Sequence, residues 1–120
     1  MRTIKQYWVA AAILLLCGCE EALETSLVDK KVVLLAPANN LVTTNTEQTF
    51  YWETVNGATK YQLTVVTPNF ASIAKLVADT LVTKNNFAMT LTPGVYQWRV
   101  RAVNNSTQSA YSDEWKFTIQ

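Results

Sequence analysis

The chain has 120 residues, 49% hydrophobic and 16% charged, a balance that suits one globular domain. It contains no His, and its two Cys, Cys17 and Cys19, stand almost adjacent, so it can assemble neither a His/Cys zinc site nor a Ser-His-Asp or Cys-His catalytic set. Ten basic residues against nine acidic ones, with no Lys/Arg run, lack the concentrated positive surface that neutralises phosphates, which argues against nucleic acid as a partner.

Arg2 and Lys5 precede an apolar run from Tyr7 to Leu16, the layout of a secretory signal peptide. The run is about half the roughly 20 residues that a membrane-spanning helix needs, so a permanent transmembrane anchor is not expected. It ends in Leu16-Cys17-Gly18-Cys19, which resembles the bacterial lipobox, with a Leu three residues before the Cys and small residues just ahead of it. The resemblance implies cleavage after Gly18, thioether diacylation of Cys19 and acylation of the new N-terminus, so residues 1–18 are a lipoprotein signal peptide. A register that uses Cys17 would place Leu15 and Leu16 before the cut, which suits the peptidase less well. A Cys17–Cys19 disulfide would have to close over a single residue, an awkward span for the bond's geometry. Cleavage removes Arg2 and Lys5, leaving eight basic residues against nine acidic ones and a net charge of −1. With no cysteine beyond Cys19, the fold must hold without disulfides.

Glu20, Glu21 and Glu24 follow the Cys. An acidic stretch in this place is similar to the export signals that send lipoproteins of Bacteroidota to the outer face of the outer membrane. The resemblance implies a lipid-anchored protein at the cell surface. The plainer alternative is a solvated tether, with the domain on the periplasmic face. Leu23, Leu27 and Val28 would support only a short helix with no identified surface to pack on, and such a helix is marginal in water. Residues 19–31 are therefore read as the lipidated Cys and an acidic tether.

From Val32 onward the apolar residues recur with period two and turn residues break the pattern at intervals, the signature of short antiparallel strands. Val32 to Ala36 runs into the turn cluster Pro37-Ala38-Asn39-Asn40. Gln48 to Trp52 places Phe50 and Trp52 on one face and Thr49, Tyr51 and Glu53 on the other. After a turn at Asn56-Gly57-Ala58, Lys60 to Val66 points Tyr61, Leu63 and Val65 inward and Lys60, Gln62 and Thr64 outward. Between Pro68 and Thr83 the alternation blurs, and an irregular crossover strand is expected, with Phe70, Ile73 and Leu76 reaching the core. Phe87, Met89 and Leu91 alternate next. Pro93-Gly94 then turns the chain into the longest strand, Val95 to Val103, with Tyr96, Trp98, Val100 and Ala102 on one face and Gln97, Arg99 and Arg101 on the other. Asn104 to Ser109 reads as a polar hairpin loop and Trp115 to Ile119 as the last strand, so residues 32–120 read as a single domain.

Seven strands in that span fit an all-β, seven-stranded immunoglobulin-like antiparallel sandwich. The residues further resemble fibronectin type III-like domains: Leu34 to Pro37 as an opening strand, Phe50-Tyr51-Trp52 as a second strand with its buried Trp, and Gly57-Ala58-Thr59-Lys60-Tyr61-Gln62-Leu63 leading into a third. Leu91 to Ala102, with Pro93-Gly94, Tyr96 and Val100-Arg101-Ala102, is similar to the sixth strand, and Ser112 with Trp115 to Ile119 to the last. Two departures stand out. One residue separates Gly94 from Tyr96 where eukaryotic members usually have two, so an altered tyrosine corner is expected. No Arg-Gly-Asp tripeptide occurs, so the resemblance does not extend to integrin recognition. The variant is most similar to short fibronectin-like modules of Bacteroidota surface lipoproteins.

The resemblance implies a non-enzymatic binding or accessory module of the cell envelope, glycan- or adhesion-related, or else a structural spacer that contacts other envelope proteins. Parity sends Trp52, Trp98 and Trp115 inward as fold residues rather than sugar platforms, and leaves Tyr51 and Tyr111 as the outward aromatics. Third and sixth strands are neighbours in this fold, so Lys60, Gln62, Gln97, Arg99 and Arg101, with Tyr111, form the candidate ligand face, whose alternative is an ordinary solvated sheet surface. Carboxylates are scattered, a glycosidase needs a facing pair, and a calcium site at Asp113-Glu114 would need more oxygens, so no catalytic residue, metal or cofactor is assigned. Asp79-Thr80-Leu81 resembles the short O-glycosylation sequon of Bacteroidota, which marks Thr80. The N-glycosylation patterns within Asn104 to Thr107 are discounted for a bacterial chain.

Overall fold

In a strand the side chains alternate between faces, so each apolar/polar alternation fixes which face turns inward. The computed structural model describes residues 24–120, and the signal-like segment, Cys17, Cys19 and the residues through Leu23 lie outside the described residues. Eight strands are present among the described residues: β1 (Leu34–Ala36), β2 (Leu41–Thr43), β3 (Glu47–Trp52), β4 (Lys60–Pro68), β5 (Ile73–Val82), β6 (Asn86–Thr90), β7 (Gly94–Val103) and β8 (Trp115–Ile119). They form a three-stranded sheet, β1-β3-β6, and a five-stranded sheet, β2-β8-β7-β4-β5.

The count corrects the expected seven. The additional strand is β2, directly after the turn cluster Pro37 to Asn40 in a stretch with no assigned element, and it pairs in parallel with β8, Leu41 opposite Phe117 and Thr43 opposite Ile119. Three residues hold too little alternation to be read locally, and this pairing is made by the tertiary fold. The turn that carries the chain from one sheet to the other is built by Asn39 and Asn40. Lys116 N donates to Asn39 Oδ1, and Asn40 N donates to Lys116 O, with Asn40 at φ 68, a left-handed conformation that Asn tolerates.

The core lies where the expected inward faces meet. Phe50 and Trp52 of β3, Tyr61, Leu63 and Val65 of β4, Tyr96, Trp98, Val100 and Ala102 of β7, and Phe117 and Ile119 of β8 are all buried. Phe50 meets Trp98 across the sheets edge-on at 4.9 Å between ring centroids and Phe117 at 5.9 Å, the T-shaped geometry that ring quadrupoles favour. Tyr96 Oη donates to Thr92 O at 2.6 Å, so the tyrosine corner is made despite the shortened spacing after Pro93-Gly94.

β5 departs from expectation in a different way. It is a ten-residue edge strand with register shifts against β4 at Val65/Val66 and Thr67/Pro68. Each shift adds a residue and resets the parity, which explains why the alternation blurs in sequence. In consequence Ile73 and Leu76 do not reach the core but are about half exposed, and Val77, Ala78 and Val82 pack against it instead. Phe70 also lies away from the core, with its ring against Arg99.

The stretch before Val32 is not simply tether. Leu27 is fully buried and belongs to the core cluster. Its amide donates to Thr107 Oγ1 at 3.0 Å, Asn104 Nδ2 donates to Thr25 O at 2.7 Å and to Gly57 O at 3.1 Å, and Glu24 accepts from Asn105 N and Ser106 Oγ. Residues 24–31 thus dock on one end of the sandwich. Gly57 makes room for them: it sits at φ +92, and a Cβ there would fall 2.7 Å from Thr25 Cβ. Removing a buried Leu leaves a cavity, so Leu27→Ala should cost about 2–5 kcal/mol of unfolding free energy by chemical denaturation. A change within about 0.5 kcal/mol, usual for surface substitutions, would mean that this stretch is not part of the folded unit.

Candidate functional site

β7 lies between β4 and β8, and its register brings the outward residues of three strands together: Gln62 opposite Arg101, Thr64 opposite Arg99, Val66 opposite Gln97, and Gln97 opposite Lys116. With Trp98, Val100 and Ala102 buried, Gln97, Arg99 and Arg101 must point the other way. The candidate ligand face is therefore assembled as a row along the strands.

It is not an open solvated surface. The chain after β4 folds back over it, and Phe70 N donates to Gln97 Oε1 at 2.7 Å. The Phe70 ring centroid lies 4.3 Å from the Arg99 guanidinium carbon, and the Tyr111 ring lies 4.0 Å from the same carbon. Tyr111 also reaches Arg101 at 4.7 Å. Each arrangement suits the attraction of a cation to the negative face of a ring. Arg99 Nη1 meets Glu114 at 3.3 Å, while its buried Nε has no acceptor among the described residues, as expected of a guanidinium flanked by rings rather than by oxygens. Val66 is fully buried on this outer side, although it belongs to no part of the inter-sheet core cluster.

Hydrogen bonds extend the network. Arg101 donates through Nε and Nη2 to Gln62 Oε1 at 3.0 and 2.7 Å, and Gln62 Nε2 donates to Asp79 Oδ1 at 2.9 Å, which also accepts from Thr64. Gln62, Gln97, Arg99, Arg101 and Tyr111 thus belong to one connected cluster. Lys60 stands apart at the start of β4, opposite Val103. The Gln97 amide nitrogen, Arg101 Nη1 and the Tyr111 hydroxyl have no hydrogen-bond partner among the described residues.

Sequence reasoning missed Phe70 and Glu114 as members of this face and Asp79 as its brace. The blurred pattern of the crossover points Phe70 to the core, and nothing in Asn69-Phe70-Ala71 redirects it to the polar face. Trp115 is half-buried and packs edge-on against Trp98 at 6.3 Å, and Tyr51 is exposed on the three-stranded sheet. Thr80 is half-buried on β5, paired with the core residue Leu63, with Asp79 held by Gln62 and Thr64 beside it. Asp113 is taken up by Lys31 at 2.6 Å. No group of three His, Cys, Asp or Glu that could hold a metal ion occurs among the described residues. A cleft of about 300 Å³ opens between β5 and β6, lined by Thr67, Lys75, Val77, Met89, Thr92 and Tyr96, and it is separate from the polar face.

A lysine keeps the charge at position 99 but not the flat guanidinium that fills the space between two rings. Arg99→Lys should therefore lower stability by about 1–2 kcal/mol in thermal or chemical unfolding. An unchanged midpoint would show that the rings do not hold the guanidinium.

Comparison with known proteins bears on the fold. No protein-family model matches the chain, and no curated protein matches it. Solved structures do. A Fn3-like protein from Clostridium thermocellum is 20% identical with a TM-score of 0.51, over 69% of this chain and 88% of that one. The fibronectin(III)-like modules of C. thermocellum CbhA are 13% identical with a TM-score of 0.53, over 74% and 95%. The fibronectin type III domain of human fibronectin type III domain containing protein 3 is 17% identical with a TM-score of 0.53, over 80% and 90%. At these identities the likeness shows the architecture, and the chain has the fold of fibronectin type III domains.

Proposed function

We propose that this chain is a non-enzymatic, lipid-anchored module of a bacterial cell envelope, which binds a glycan or an envelope protein through the outer face of its five-stranded sheet. The observation that carries the binding reading is the state of that face. Phe70, Tyr111, Gln62 and Asp79 hold Arg99 and Arg101 in place, so little side-chain freedom remains to be lost on association. Gln97 and Arg101 nonetheless keep donors without partners among the described residues, and such donors suit an oxygen-rich ligand. A spacer that contacts other envelope proteins is the second reading, favoured by the long edge of β5, which pairs with no further strand among the described residues.

The anchor reading rests on the sequence Leu16-Cys17-Gly18-Cys19 after an apolar run. It places the protein in the outer membrane, facing outward by the likeness of Glu20, Glu21 and Glu24 to a surface-export signal, with the periplasmic face as the alternative. Thr80 is the proposed O-glycosylation position, by the likeness of Asp79-Thr80-Leu81 to a bacterial sequon.

Intact-mass measurement of the natively expressed protein should show a chain beginning at Cys19 with a diacylglyceryl and an acyl group, and a sugar increment that disappears in Thr80→Ala. The unprocessed polypeptide mass alone would refute the anchor. For the binding reading, immobilised protein should retain a polysaccharide or an envelope protein, and Arg101→Ala should weaken retention about 10-fold or more, the loss expected for a donor to a buried or charged acceptor. Equal retention by the variant would remove this face as the binding surface.

A further inference from the structure

We infer that the domain stands on the bilayer end-on, with its Asn104–Gln108 hairpin end toward the lipid and its Thr92–Gly94 end pointing away. This rests on the proposed anchor at Cys19 and adds to it the orientation of everything the anchor carries.

Glu24 and Thr25 are fastened to the hairpin loop: Asn105 N and Ser106 Oγ donate to the Glu24 carboxylate at 3.1 and 2.9 Å, and Asn104 Nδ2 donates to Thr25 O at 2.7 Å. Thr25 also lies against Gly57, in the loop between β3 and β4, and Lys30 Nζ donates to Asn56 O in that same loop. The first described residues therefore sit at this end, where β7 ends at Val103 and β4 begins at Lys60. The loop between β5 and β6 belongs to the same end, since Trp52 N donates to Asn85 O.

Covalent geometry then sets the reach. Five residue steps separate Glu24 from Cys19, and a fully extended chain advances at most ~3.6 Å per residue, so Glu24 stays within about 18 Å of the lipidated sulfur's residue. The nine residue steps of β7 from Val103 to Gly94 span ~30 Å at ~3.3 Å per residue. The tether is thus shorter than the sandwich is long, and the anchor cannot pass to the opposite end. That end carries Gly94, the Pro68 end of β4, the Thr43 end of β2 and Gln120, whose N donates to Thr43 O.

Charge at the hairpin end does not choose the orientation. Lys30, Lys60 and Lys84 are matched there by Glu24, Asp29 and Glu53, so the short tether and its docking decide it. Two consequences follow. The loops at the hairpin end face lipid and are closed to large partners. The polar face, which runs along the strands from Lys60 to Gln97, stands roughly perpendicular to the membrane and is open from the side.

The test uses the natively lipidated full protein, purified and reconstituted in phosphatidylethanolamine and phosphatidylglycerol vesicles that carry a headgroup-level quencher. Single-cysteine variants take one fluorophore each, Asn105→Cys and Lys84→Cys near the lipid, Gln120→Cys and Ala71→Cys at the far end. Quenching should be at least about threefold stronger at both near positions, because the strands set the two ends ~30 Å apart. Equal quenching at both ends, or the reverse order, in protein that floats with the vesicles would overturn the orientation while leaving the anchor standing. Protein that stays behind when the vesicles float and carries no lipid mass at Cys19 would overturn the anchor and the orientation with it.

Discussion

A strand of alternating residues has one choice to make, which face turns inward, and Trp98 makes it for β7. Its indole is fully buried, edge-on to Phe50 of the opposite sheet at 4.9 Å and edge-on to Trp115 at 6.3 Å. Burying a Trp removes on the order of 200 Å² from water, worth roughly 5 kcal/mol at ~25 cal/mol/Å². The indole N–H finds no acceptor among the described residues, a cost of about 1–3 kcal/mol, so burial wins and the register holds. With Trp98 inward, Gln97 and Arg99 have to point outward, and Arg101 follows by the same parity. The polar face is therefore a consequence of the core, and the side chains on it inherit their placement from a tryptophan on the other side of the sheet.

What sequence periodicity can express was legible. Tyr61, Leu63, Val65, Tyr96, Trp98, Val100 and Ala102 alternate without interruption, and each is buried. That the strand of Gln62 and Thr64 neighbours that of Gln97, Arg99 and Arg101 followed from the resemblance to a fibronectin-like sandwich, while the register that sets Gln62 opposite Arg101 came from the structure. What escaped has physical reasons. β2 is three residues long and depends on a parallel partner more than 70 residues away. β5 hides its parity behind two register shifts, so Ile73 and Leu76 read as core residues although they are half exposed. Leu27 and Val28 are adjacent apolar residues in an otherwise polar stretch, too few to show a period, and nothing there reveals that Thr107 and Asn104 hold the segment.

The strand residues of the candidate face were legible, but its loop members Phe70 and Glu114 and the condition of the face were not. Strand parity names Gln97, Arg99 and Arg101, yet nothing in a strand pattern says that Phe70 and Tyr111 close on Arg99 from two loops. Those contacts change the chemistry of the face. A freely solvated arginine would have to lose side-chain freedom to meet a ligand, whereas a guanidinium held between rings has already lost most of it. The docked N-terminal stretch contributes in the same sense at a larger scale. By fastening Glu24 and Thr25 to the hairpin end, it fixes where residue 24 sits relative to the strands and the polar face.

The account turns on Arg99 being held between two aromatic rings. The most direct measurement is solution NMR of the arginine side chains in labelled protein. The account predicts that the Arg99 δ-methylene protons are shifted upfield by the flanking rings and that its Nε–H, shielded from water, exchanges far more slowly than that of a solvent-exposed arginine. Arg99 resonances at free-arginine positions, with exchange as fast as an exposed side chain, would contradict it.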